Sequence, residues 1–353
     1  MNAINHDRLA ALTTQAISDL SAGYAGVMVS IGNRLGLYKA MAGAGPLTAA
    51  EVAGRSGCTE RYVREWLNAQ AAGGYVAYHR ANATYELTPE QEQVFADDGS
   101  AVFVPHAWEV VASLWQDAPR AAEAIRTGDG IAWGDHDERL YCGCASFFRN
   151  SYKANLISDW IPSLDGVAER LEAGITVIDV GCGHGHSTVL MAKAFPNSRF
   201  FGVDAHAGSI AAARALAEEA GLGDRVRFEV GDARSYPDRG YDLVCFFDCV
   251  HDMGFPVDAL AHAAETLAPD GTVMLIEPFA GDRVEENFNP VGRLYYAAST
   301  TLCCAHAISE RGTHVLGAQA GARELAAVCE QAGLSKVRRT FATPFNMVIE
   351  ARR

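Results

Sequence analysis

Val177-Ile178-Asp179-Val180-Gly181-Cys182-Gly183-His184-Gly185-His186-Ser187-Thr188 reads as a buried strand, a glycine turn and the start of a helix. Glycines at such a turn let the backbone bend tightly and let a ligand approach the main chain. The dinucleotide fingerprint would need glycine at 186 or 188, where His186 and Thr188 stand. The Gly-Lys-Ser/Thr of a phosphate loop is also absent. What remains is Asp-x-Gly-x-Gly-x-Gly, followed in order by two acidic strand ends. Asp204 closes Phe201-Gly202-Val203-Asp204, where a carboxylate can accept both ribose hydroxyls. Asp232 closes Val230-Gly231-Asp232, placed to accept an adenine amino group. The candidate ligand-binding residues at this turn and at the strand ends are Asp179, Gly181, Gly183, Gly185, Ser187, Thr188, Asp204, Ala205, Asp232, Ala233 and Asp248.

The acid–base residues come later. His251 lies past the carboxyl end of the strand Leu243–Phe247, on the rim where open α/β sheets bind ligands. It is the best general base in the chain for taking a hydroxyl proton. Asp252, or Glu277 at the end of the next strand, can orient its ring and stabilise the imidazolium. His184, His186 and His206 fall near the candidate ligand-binding residues, where loop histidines more often pack or face solvent than bind. The remaining histidines have no metal-ligand spacing, and His-Glu-x-x-His is absent. Cys142/Cys144 and Cys303/Cys304 are soft pairs that could hold a metalloid or serve thiol chemistry, but lack the spacing of a structural zinc site. No resident metal is expected.

The elements that must position these residues fall into three zones. Residues 1–97 read as mostly helical. Thr48 and Glu51 form a capping box, Gly57 closes that helix, and Thr59 caps the next, Glu60 to Ala72. Alternating segments at Tyr75–Tyr78 and Ala83–Leu87 follow, giving the helix, turn, helix, ribbon order of a winged helix. Residues 98–173 read as a helical, aromatic linker and cover. Residues 174–353 alternate strand and helix, which predicts a parallel sheet covered on both faces. Strands are expected at Ile175–Val180, Arg199–Val203, Val226–Val230, Leu243–Phe247, Thr272–Glu277, Lys336–Thr340 and Asn346–Ala351. Only Phe341 to Phe345 joins the last two, enough for a hairpin and too short for a crossover. Residues 279–319 read as an insertion over the acceptor pocket, with Tyr295 and Tyr296 facing substrate or packing the cover.

Composition narrows the class. The 353 residues carry 29 Lys and Arg against 43 Asp and Glu, a formal charge of −14. That argues against nucleic acid as the main partner, because phosphate binding needs clustered cations. No apolar run reaches the roughly 18–20 residues of a membrane helix. The N-terminus lacks a signal-peptide core. Nine cysteines, an odd number partly in apolar runs, fit a reduced cytoplasmic protein.

The ordered set from Asp179 to Asp270-Gly271 resembles the class I S-adenosylmethionine-dependent methyltransferases across residues 174–353. The resemblance implies a Rossmann-like, seven-stranded α/β sheet with one antiparallel strand. It places Gly181–Gly185 against the methionine part of S-adenosylmethionine, and Asp179 near its amino group unless Asp179 only pins the loop. The product would be S-adenosylhomocysteine. A winged helix in front, with His251-Asp252 after the fourth strand, is similar to the small-molecule O-methyltransferases. It implies a homodimer built through residues 1–97 and a small, hydroxylated or aromatic acceptor. Met253 stands where that family commonly has Trp. Asn289–Arg293 and Cys303-Cys304 look more like a less characterised bacterial branch. Two other readings remain: an S- or metalloid methyltransferase using the cysteine pairs, and a winged-helix DNA-binding regulator.

Overall fold

The computed structural model describes residues 3–353. The chain forms two compact units. One runs to Ser113 and includes Cys142–Asn150; the other comprises Leu114–Tyr141 and Ser151–Arg353. The segment 98–173 is therefore divided between them.

The first unit starts with α1 (His6–Arg34), α2 (Leu37–Met41), α3 (Ala49–Ser56) and α4 (Glu60–Ala72). The ribbon β1 (Ala77–His79) and β2 (Thr84–Glu86) and then α5 (Pro89–Phe95) follow. Local chemistry sets these boundaries. Gly36 adopts φ 65°, which breaks the long helix before α2. Thr48 and Glu51 make the reciprocal capping box, and Gly57 closes α3 at φ 68°. Thr59 stands at the start of α4, but its side chain makes no capping bond. The core gathers Tyr38, Trp66, Leu67 and Phe95, with the Tyr38 hydroxyl donating to Gln70 Oε1 at 2.6 Å. A Cβ at Gly32 would lie 2.4 Å from the Trp66 ring, so α1 packs there at glycine distance. The chain then passes from unit to unit within α6 (Pro105–Thr127) and α7 (Arg139–Asn155).

The second unit begins with α8 (Val167–Ala173), β3 (Thr176–Val180), α9 (His186–Ala194), β4 (Arg199–Asp204) and α10 (Ala207–Glu219). It continues with β5 (Val226–Val230), β6 (Tyr241–Phe247), α11 (Pro256–Thr266) and β7 (Leu267–Pro278). α12 (Pro290–Ala298) and α13 (Cys304–Ser309) lie in the insertion, before α14 (Gly321–Gln331), β8 (Lys336–Ala342) and β9 (Asn346–Arg352). The seven-stranded sheet has the order β5-β4-β3-β6-β7-β9-β8. β9 runs antiparallel to both β7 and β8, as the short final connection requires. β3 and β6 are almost wholly buried, and their β-branched and aromatic runs supply a core shared with α11 and α14. β7 starts earlier than expected. Leu267 pairs with Tyr241, and the register shifts before Leu243 pairs with Thr272. The Pro269-Asp270-Gly271 turn signal therefore falls within an irregular strand.

Candidate active site

The parallel strands β3, β4 and β6 end on one side of the sheet, and the residues following them build two adjoining groups. Gly181 N–H donates to Val203 C=O at 2.8 Å, so the turn after β3 is tied to β4. Gly181, Gly183 and Gly185 all have positive φ, 73°, 52° and 74°. Gly185 is also sterically required, since a Cβ there would lie 2.6 Å from Phe228 and 2.9 Å from Ala213. Gly183 faces open space, leaving its backbone approachable. Its N–H donates to Asp204 Oδ2 at 2.9 Å, while Asp204 Oδ1 accepts from His206 N–H at 2.8 Å.

Asp179 is fully buried beneath this turn. Its Oδ2 accepts from both Ser187 and Thr188 hydroxyls at 2.6 Å. Oδ1 is buried with no partner. Burial pushes this carboxyl up to about 6, against the pull of the two hydroxyls. Ser187 and Thr188, expected on the cofactor wall, thus spend their hydroxyls holding Asp179.

Ala205 is exposed and Ala233 half-buried beside the ends of β4 and β5. Asp232 is already engaged: Arg234 Nε and a terminal nitrogen meet its two oxygens at 2.9 and 2.6 Å. That guanidinium holds Asp232 below the usual carboxylate range and stacks 4.8 Å from the Phe255 ring centre. Tyr141 stacks on His206 with ring centres 4.8 Å apart, and its hydroxyl donates to Trp133 C=O. Sequence reasoning missed Tyr141, because its partner lies far away along the chain.

The second group surrounds His251, which is 6% exposed. Its Nδ1 lies 2.6 Å from Glu277 Oε2. Glu277 Oε1 accepts the Val250 N–H at 3.0 Å. His251 C=O accepts from Gly317 N–H at 2.9 Å. Cys303, in a π-helical turn at Ser299–Cys303, makes a side-chain hydrogen bond with His251. Such π turns are frequent at functional sites. Burial works against the imidazolium, but Cys303 and Glu277 outweigh it and hold His251 well above its ordinary pKa. Asp252 is half-buried, and burial raises it to about 6 against the pull of His251 and His306. Glu277 is thus the carboxylate bonded to the ring. Tyr295 is buried with its hydroxyl donating to Phe345 C=O at 2.9 Å; Tyr296 is half-buried.

Asp248 follows β6 in an unusual conformation. It adopts φ 51°, rare for a residue with a side chain. Its N–H donates to Ile276 C=O at 2.6 Å and its Oδ1 accepts from Asn346 Nδ2 at 2.7 Å.

A further buried dyad was invisible in the sequence. His136 Nδ1 lies 2.9 Å from Asp117 Oδ2, and Nε2 has no partner. Its segment packs on α13, with Ile131 N–H donating to Ala305 C=O and Trp133 N–H to His306 Nδ1.

The cysteines form no disulfide. Cys142 is exposed, and Cys304 Sγ lies 3.4 Å from Ser299 Oγ. Among the described residues, no group of three or more His, Cys, Asp or Glu is arranged to hold a metal. No described helix is long and apolar enough to cross a membrane.

These groups fit S-adenosylmethionine. The unpartnered Asp179 oxygen matches an ammonium, the open Gly183 backbone matches a close ligand, and Asp204 keeps lone pairs for ribose hydroxyls.

Residues 23–96 match the family described as an Rv2258c-like winged HTH domain, and residues 171–333 match a methyltransferase domain family. The 27-O-demethylrifamycin SV methyltransferase of Amycolatopsis mediterranei is 33% identical over 107 residues, 30% of this chain and 39% of that protein. The chain spans about two-fifths of the length of the curated relatives it matches most strongly. The fold extends over nearly the whole chain in two solved structures. The mitomycin 7-O-methyltransferase MmcR is 18% identical, with a TM-score of 0.73, covering 99% of this chain and 100% of that one. Human N-acetylserotonin methyltransferase, in complex with SAM, is 15% identical, with a TM-score of 0.71, covering 100% and 99%.

Proposed function

We infer that this chain, which joins a winged-helix domain to a class I S-adenosylmethionine-dependent methyltransferase domain, methylates a hydroxyl of a small, hydroxylated or aromatic molecule. The observation that carries this reading is the His251–Glu277 bond of 2.6 Å, at the same sheet edge as the glycine loop. Asp179, Gly181, Gly183, Gly185, Asp204, Ala205, Asp232 and Ala233 hold the cofactor in this reading, with Ser187 and Thr188 positioning Asp179. When bound, S-adenosylmethionine supplies an electrophilic methyl group on a positively charged sulfur.

The protein's own residues handle the proton. His251 acts as base in its neutral form, on the alkaline side of its raised pKa: with Nδ1–H kept toward Glu277, the Nε2 then left without its proton carries the lone pair that takes the acceptor's hydroxyl proton. Glu277 stabilises the imidazolium that forms, and its bond to Val250 N–H keeps its carboxylate in place. Asp252 adds negative potential on the same turn. The insertion 279–319, with the part of 98–173 in the same unit, excludes water from the acceptor.

Residues 1–97 serve as the winged-helix and dimerisation region, and 174–353 as the transfer domain, in a cytoplasmic homodimer. Free thiols support the reducing compartment. The exposed apolar face of α1 supports the dimer: Leu12, Leu20 and Tyr24 are 64%, 63% and 73% exposed. The DNA-regulator reading is disfavoured by α4, whose Arg61 and Arg64 pair with Glu65 and Glu60 on the same helix. The S- or metalloid reading would fall to Cys303, which bonds His251, but burial pushes that thiol up, which favours a positioning part over thiolate chemistry.

Calorimetric titration of the metal-free protein with S-adenosylhomocysteine, comparing wild type, Asp204→Ala and His251→Ala, tests the proposal. Binding lost in Asp204→Ala and kept in His251→Ala is expected. A screen of hydroxylated molecules for methyl transfer follows. No binding by the wild type overturns the reading.

A further inference from the structure

Asp248 has a distinctive combination of features. Its backbone φ of 51° costs a side-chain-bearing residue free energy, and such outliers cluster at functional sites. The strain is held in place on two sides. Its N–H is bonded to Ile276 of β7, and its Oδ1 to Asn346 of β9, the residue that pairs with Pro278. Glu277, which grips His251, lies between those two anchor points. Asp248 and His251 are thus fixed to the same three-residue stretch of β7. Its remaining oxygen, Oδ2, is buried and has no hydrogen-bond partner.

The surroundings decide the protonation state. Asn346 from β9 bonds Asp248, and the titratable groups whose charges act on it are Glu277 from β7, Cys249, His251 and Asp252 from the turn after β6, and Tyr295 from α12. The imidazolium of His251 is already committed to Glu277. An ionised Asp248 would leave a buried, unpaired negative oxygen beside another carboxylate, which is costly. As a neutral acid, Asp248 presents an O–H for which the chain supplies no acceptor.

We propose that Asp248 belongs to the acceptor side of the site rather than to the cofactor wall, as a neutral carboxylic acid whose Oδ2–H donates to a second oxygen of the acceptor. The acceptor class is then a molecule with a carbonyl or similar lone-pair oxygen adjacent to the hydroxyl that His251 deprotonates. This rests on the methyl-transfer reading above. The donor also spreads the negative charge that builds on the hydroxyl oxygen as its proton passes to His251, since the adjacent oxygen is conjugated or hydrogen-bonded to it.

The test uses the full chain, with Asp248→Asn and Asp248→Ala, and three readouts. S-adenosylhomocysteine titration should give the same affinity for both variants as for wild type; loss in both, with circular dichroism unchanged, returns Asp248 to the cofactor wall and overturns the inference. Infrared difference spectra, wild type minus Asp248→Asn, should show a protonated carboxylic-acid carbonyl band at neutral pH; its absence also overturns it. 2-Hydroxybenzamide and 4-hydroxybenzamide, titrated onto the S-adenosylhomocysteine complex, are the acceptor probes. Wild type and Asp248→Asn, which keeps a donor, should favour the ortho isomer by about tenfold, as one hydrogen bond to a buried donor predicts. Asp248→Ala should lose that preference. Equal binding of the isomers by wild type overturns the proposal. If wild type fails to bind S-adenosylhomocysteine, the methyl-transfer reading itself fails, while the infrared band still reports Asp248 independently.

Discussion

Glu277 grips the His251 turn at two points: Oε2 lies 2.6 Å from the ring Nδ1, and Oε1 accepts the Val250 N–H at 3.0 Å. One carboxylate thereby sets the ring's tautomer, its orientation and the backbone that carries it. A rim histidine that only shaped a pocket would not need a buried counter-ion.

Replacing His251 by Gln should lower kcat by roughly 10²–10⁴-fold and leave S-adenosylhomocysteine affinity unchanged. Glu277→Gln removes the counter-ion, so His251 gives up its proton at lower pH. The rising limb of kcat/KM should move to lower pH while its plateau drops. The stability effect has a definite sign. A raised histidine pKa contributes stability that is fully present below the ordinary value and is lost as pH rises through the folded value. The melting deficit of Glu277→Gln should therefore shrink toward alkaline pH. An unshifted rate profile would remove Glu277 from the proton path.

Asp179 makes a different pH statement. Its folded pKa, about 6, lies above the ordinary carboxylate value, so the folded state holds the proton more tightly than the unfolded state does. Stability falls as pH rises from about 4 to about 6 and then levels. An ammonium ligand needs the ionised form, so S-adenosylhomocysteine affinity should rise through pH 6 and then flatten. Asp179→Asn should erase this dependence and weaken binding by at least tenfold. Calorimetry between pH 5 and 8 decides the matter; a flat wild-type profile assigns Asp179 to holding Ser187 and Thr188 alone.

Two glycines of the same turn should respond unequally to alanine. Both carry positive φ, which costs a side chain about 1–2 kcal/mol. At Gly185 the added methyl also meets Phe228 at 2.6 Å, whereas at Gly183 it meets nothing. Gly185→Ala should lower the melting temperature clearly more than Gly183→Ala. Gly183→Ala should instead weaken cofactor binding, because its methyl projects into the ligand's space. Equal melting losses would count against the packing explanation.

The centre of the sheet was legible because β3, β6 and β9 are short, nearly all-buried apolar runs, whereas the edge strands β5 and β8 are largely exposed and showed mainly through their spacing. Asp204 and Glu277 were legible because each ends such a run. Pairings made across long separations were not. Cys303 reaches His251, and His136 reaches Asp117, only after the insertion and α6 have folded into place. Asp232 shows the opposite limit. Its position at a strand end was clear, but Arg234, two residues on, takes both its oxygens. α1 was legible only broadly. Residues 1–97 read as mostly helical, but no capping box or glycine marked where the first helix starts, and the structure begins it at His6, capped by Asn5.

That early stretch of α1 leads to the last prediction. Every described residue up to Tyr24 is exposed, yet the helix holds Leu9, Leu12, Leu20 and Tyr24 on one stripe. Gly26, Val29 and Gly32 face the opposite way, into the winged-helix core. A helix of 29 residues is about 43 Å long, and its free half has no packing to stabilise it in water. A second copy presenting the same stripe would cover both. Light scattering should therefore give a dimer for wild type, and a monomer for the double variant Leu12→Asp, Leu20→Asp. These positions lie on solvent-facing α1 and touch no core residue, so the variant should keep the transfer domain folded and bind S-adenosylhomocysteine with wild-type affinity. Far-UV circular dichroism should show lost helix as the freed half of α1 frays. A wild-type monomer, or a dimer unmoved by the two aspartates, would take the interface away from α1.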